Sequence, residues 1–75
     1  MIIKDKTQAL DIYQNKFGKI NTELGYNLIP IKTKNGWLVI KTYQRNCWVD
    51  EVTERKVLLN NDGKIYENHI RIGEF

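Results

Sequence analysis

The sequence predicts an α+β domain: one N-terminal amphipathic helix, about residues 6–24, packed on a four- or five-stranded antiparallel β-meander, open or curled toward a small barrel. Three observations lead there. Apolar residues recur at helical spacing in the first third of the chain, an Asn-Gly pair sits between two β-rich arms, and the rest alternates in short runs separated by turn residues. All 75 residues are expected to form a single domain, whose core is small because a chain of this length buries only about 60–65% of its unfolded surface.

The helix rests on Leu10, Tyr13, Phe17, Ile20 and Leu24, spaced three, four, three and four apart, with Ala9 and Ile12 widening the stripe. Asp5 is the expected N-cap, with Gln8 placed to complete a capping box, and Gly25 ends the segment. Gly18 opposes continuity, since an interior glycine costs about 1 kcal/mol relative to alanine. The apolar spacing passes through it without a slip, so a single helix is expected.

Leu28 to Tyr43 reads as a hairpin. Asn35-Gly36 suits the two positive φ angles of a type I′ turn. With that pair as the loop, Lys34 faces Trp37, Thr33 faces Leu38, Lys32 faces Val39 and Ile31 faces Ile40. One face then holds Ile29, Ile31, Leu38 and Ile40 with Thr33 and Thr42, and is the expected core beneath the helix. The opposite face holds Leu28, Pro30, Lys32, Lys34, Trp37, Val39, Lys41 and Tyr43. Pro30 has no N–H to donate, so the first arm is expected to be an edge strand or at least to turn its residue-30 amide position outward.

After a turn at Gln44-Arg45-Asn46, Cys47 to Val52 alternates as a third strand. Thr53-Glu54 reads as a bend or bulge, and strand character resumes over Arg55 to Leu59. Asn60-Asn61-Asp62-Gly63 is a turn closed by a left-handed glycine. The last strand runs from Lys64 to about Ile72, and Gly73-Glu74-Phe75 is expected to fray.

Composition excludes several classes. Hydrophobic residues at 41% and charged residues at 28% are ordinary for a globular chain and argue against disorder. Twelve basic and nine acidic residues give +3, a mild excess that permits contact with polyanions without requiring it. No run approaches the roughly 20 apolar residues of a membrane span, and the N-terminus lacks the apolar stretch of a signal peptide. Cys47 stands alone, so neither an intrachain disulfide nor a cysteine-based metal site is expected, and a cytoplasmic location follows.

Chemistry-bearing residues are few. The single histidine, His69, lies between Glu67 and Arg71 on the predicted last strand and reads as a rim residue. Serine is absent, no calcium-loop or phosphate-loop spacing occurs, and nothing places Cys47 near a base. No catalytic, cofactor-binding or metal-binding residues are assigned, and the chain is expected not to be an enzyme.

Binding is the better prospect. Lys32, Lys34 and Lys41 alternate with Trp37 and Tyr43 on one hairpin face, and Arg45 and Trp48 follow close behind. Tryptophan, tyrosine and arginine are the residues most enriched at interface hot spots. The expectation is therefore a small regulatory or inhibitory protein that binds another protein through Lys32, Lys34, Trp37, Lys41, Tyr43, Arg45 and Trp48. The same cations and rings suit a nucleic-acid-binding module, and a homo-oligomer, most simply a homodimer, is the third reading.

Overall fold

The computed structural model describes residues 2–75. Helix α1 (Lys6–Phe17) precedes a 3₁₀ turn (Thr22–Leu24), then β1 (Tyr26–Thr33), β2 (Gly36–Tyr43), β3 (Val52–Asn60), β4 (Lys64–Glu67) and β5 (Ile70–Glu74). The strands form one antiparallel sheet in chain order, with α1 packed against β1 and β2. The α+β meander is as expected, with five strands and an open sheet rather than a closed barrel.

Asp5 caps α1 as its type predicts, Oδ1 accepting from the Gln8 N–H at 2.9 Å. Gln8 Oε1 reaches back to the Lys4 N–H at 2.7 Å, one residue beyond the position a capping box would use. The helix stops at Phe17, where the Gly18 N–H donates to Gln14 O and its φ of 97° leaves helical space. The helix is thus shorter than the expected 6–24. Ala9 and Tyr13 are buried, while Leu10, Ile12, Phe17 and Ile20 pack around them. Leu24, beyond the break, is 61% exposed.

β1 is an edge strand, as Pro30 requires, but the hairpin register is two residues off the expected one. Lys32 faces Trp37, Ile31 faces Leu38 and Ile29 faces Ile40, so Lys34-Asn35 forms the loop. The positive φ angles at non-glycine residues lie elsewhere, on Asn68 (53°) and His69 (67°). Gly36 serves a close approach instead: a Cβ there would sit 2.1 Å from Leu59 O. The Asn61 N–H donates to Asn35 O at 2.7 Å, tying this turn to the one after β3.

The predicted third strand at Cys47 to Val52 does not form. Asn46 holds residues 44–51 in a loop, its side chain accepting from the Trp48 N–H at 2.9 Å and its carbonyl from the Val49 N–H at 3.2 Å. This local bonding competes with a strand ladder. β3 begins at Val52, and a register shift opposite Lys41/Thr42 makes Glu54 the extra residue, in the segment read as a bulge. The predicted last strand is two strands, because Asn68-His69 reverses the chain and pairs Glu67 with Ile70. The C-terminus is not frayed: the Phe75 N–H donates to Gly63 O at 2.8 Å and Phe75 packs on the core.

The core comprises Ile3, Ala9, Tyr13, Leu28, Val39, Val57, Leu59 and Ile65. It therefore lies on the face of Leu28, Trp37 and Val39, the reverse of the face expected. The shift of two residues preserves the division of side chains between faces. What decides the side is the rest of the sheet, for Val57, Leu59 and Ile65 extend the Val39 face across β3 and β4.

Candidate functional site

A twelve-residue helix is about 18 Å long and covers one side of a sheet in a molecule 40 Å in its longest dimension. The side away from α1 therefore has no second layer. Ile29, Ile31, Leu38 and Ile40 lie on it, joined from β3 by Leu58. Ile31 is 43% exposed and the others are half-buried. Thr42, on the same side, is buried and donates from Oγ1 to Glu51 at 2.9 Å.

Toward the hairpin turn this face dips into a groove of about 680 Å³. Its floor is Leu38 and Leu58, with Tyr66 from β4. The Thr33–Asn35 turn contributes to one side, and the Asn68–His69 turn to the other. Lys56 projects from β3 into the same space, together with Lys34 from the turn. Neither lysine has an ion-pair partner among the described residues, whose ion pairs are Lys41–Glu54, Arg55–Glu67 and Arg71–Glu74. No carboxylate lines the groove. The nearby Asp62 is occupied by the Lys64 N–H at 2.9 Å and the Tyr66 hydroxyl at 3.4 Å. Desolvation pushes its carboxyl up, but these bonds, with one from Asn60 and the Lys64 charge, outweigh it and leave the group below its ordinary value.

The seven residues singled out from the sequence do not form one patch. Lys32, Trp37, Lys41 and Tyr43 share the helix side of the hairpin. Trp37 packs against the core and its Nε1–H donates to Ile3 O at 3.4 Å, so the N-terminal segment overlies it. Tyr43 packs against Tyr26 with the rings tilted by 43° and their centroids 4.7 Å apart, and Lys41 Nζ sits 4.8 Å from the centre of the Tyr26 ring while reaching Glu54 at 3.9 Å. Lys34 alone of the seven belongs to the groove. Arg45 and Trp48 stand on the 44–51 loop, where Trp48 is 90% exposed.

Lys56, Leu58 and Tyr66 were missed as candidates, while His69, read as a rim residue, does stand exposed at the rim of the groove. Lys56 and Leu58 alternate with the buried Val57 and Leu59, a signal that could have assigned them to the outer face had the core side been known. Among the described residues no three His, Cys, Asp or Glu side chains gather as metal ligands, and no helix is long and apolar enough to cross a membrane. Comparison with known families, with curated proteins and with solved structures yields no match.

Proposed function

We propose that the chain is a small non-enzymatic protein that acts by binding another protein across the sheet face its helix leaves open. The observation that carries this reading is the set of five aliphatic side chains, Ile29, Ile31, Leu38, Ile40 and Leu58, on a face without a second layer. A contiguous apolar face rimmed by polar groups is characteristic of interaction sites. Lys34 and Lys56 beside it supply a polar rim that also selects for partners of opposite charge. The nucleic-acid alternative draws less support, since it relies on rings free to stack, and Trp37 and Tyr43 are engaged within the fold.

Photo-crosslinking in the source cell tests the reading. A crosslinker replacing Ile31 is expected to capture one discrete cellular protein, and Leu38→Asp in the same chain to abolish that product. The same group at Asp11, exposed on α1, is the control. Equal capture from Asp11, or capture from Ile31 of nothing but a second copy of the chain, overturns it.

A further inference from the structure

We infer that the groove between the Thr33–Asn35 and Asn68–His69 turns is the seat for an acidic, aliphatic segment of the partner, a refinement that rests on the protein-binding reading above. Its volume of about 680 Å³ lies in the range of ligand sites, in the form of an open trough rather than an enclosed cavity. The floor of Leu38 and Leu58 accepts aliphatic groups. Around it every charged side chain is a lysine: Lys34 and Lys56 line the groove, and no aspartate or glutamate does.

The charge is also uncommitted. All three ion pairs of the described residues lie outside the groove lining, so a carboxylate arriving between these turns would not have to displace an existing partner of Lys34 or Lys56. The turns add polar side chains, Asn35 on one side and Asn68 and His69 on the other. His69 reaches this position at a φ of 67°, a left-handed conformation that glycine adopts more easily. A glycine would serve the turn better, whereas a histidine places a hydrogen-bond donor at the groove. Positive φ at both Asn68 and His69 is what the two-residue turn between β4 and β5 requires, so the hairpin itself holds the ring at this place.

Two acetylated, amidated heptapeptides with the same apolar pattern test the inference, one carrying Asp and Glu at its polar positions and one carrying Lys. Each is titrated into isotope-labelled protein at low and moderate salt, and amide shifts are followed by NMR. The acidic peptide is expected to move Leu38, Leu58, Asn60 and His69 saturably, more weakly at moderate salt, while the lysine peptide leaves them in place. Combining Lys34→Glu with Lys56→Glu is expected to weaken the acidic peptide by at least about tenfold and to create binding of the lysine peptide. His69→Gly is expected to raise the unfolding midpoint while weakening the acidic peptide.

Equal affinity for both peptides, no binding of either, or shifts confined to the helix side overturns the groove as an acidic-segment site. So does a single-stranded oligonucleotide that moves these resonances where the acidic peptide does not. If the peptides fail while the Ile31 crosslink persists, the partner lies on the sheet face and the groove assignment alone falls. If the acidic peptide binds and no crosslink forms, the groove assignment stands and the cellular protein partner is the part that fails.

Discussion

Arg55 on β3 and Glu67 on β4 meet in a forked ion pair, Nε to Oε2 at 2.8 Å and Nη2 to Oε1 at 3.3 Å, with the guanidinium 4.5 Å from the centre of the Phe17 ring. One contact thus joins the short β4 strand to the sheet and both to the end of α1. The hydrogen bond from Arg55 holds the Glu67 carboxyl below its ordinary value near 4.5, and the same bond raises Arg55. Because the folded-state value is depressed, this stabilisation is complete above the ordinary carboxylate value and is lost as pH falls through the lowered one. Glu67→Gln is expected to lower the urea midpoint at neutral pH, with the gap to the parent closing in acid. An equal gap at both pH values would mean that Glu67 acts through packing alone.

Leu58 and Leu59 are neighbours on β3 that face opposite sides of the sheet, and only Leu59 is fully buried. Leu59→Ala is expected to cost about 2–5 kcal/mol through lost burial and a residual cavity. Leu58→Ala is expected to cost about 1 kcal/mol or less, since that side chain keeps contact with solvent. Chemical denaturation of the two variants distinguishes the core side from the open side.

Gly36 and Gly18 are glycines for different reasons. A Cβ at Gly36 would meet Leu59 O at 2.1 Å, a backbone atom that cannot swing away, whereas nothing lies within 4 Å of one at Gly18. Gly36→Ala is expected to destabilise by about 3 kcal/mol or more as the hairpin end is pushed off β3. Gly18→Ala is expected to cost about 1–3 kcal/mol, from a backbone at φ 97° and ψ 156° that side chains with a Cβ rarely adopt. Thermal melts of both report the order, and a smaller loss at Gly36 would contradict the close approach.

Thr33 Oγ1 is sealed from solvent without a hydrogen-bond partner among the described residues. Exchanging the hydroxyl for a methyl group removes an unsatisfied donor and keeps the branched shape that suits a strand. Thr33→Val is expected to be neutral or up to about 1 kcal/mol more stable by denaturant titration. A clear loss would reveal a partner for this oxygen.

The two tryptophans report separate regions. Trp48 is 90% exposed, while Trp37 packs on the core beside Ile3. In the Trp48→Phe variant the remaining emission is expected to be blue-shifted and poorly quenched by iodide. In Trp37→Phe it is expected to be water-like and readily quenched. The reverse assignment would place the N-terminal segment elsewhere.

The sequence by itself determined the elements that local chemistry specifies. The Asp5 cap and the Leu10–Tyr13–Phe17 spacing mark the helix, Pro30 marks an edge strand, and Asn60 to Gly63 mark a turn. Where two local signals competed, pattern alone chose wrongly: Gly18 ended the helix despite the stripe continuing to Leu24, and Asn46 made a loop where Cys47 to Val52 alternates. The division of hairpin residues into two faces was also legible, because a strand's side chains alternate whatever its register. Which face became the core was not. Ile29, Ile31, Leu38 and Ile40 outweigh Leu28, Trp37 and Val39 within the hairpin, and only the assembled sheet reverses the balance by aligning Val57, Leu59 and Ile65 with Val39 beneath Ala9, Tyr13 and Ile3. Burial is a property of the whole sheet, summed over strands far apart in the chain, so the open face and its groove came from tertiary structure alone.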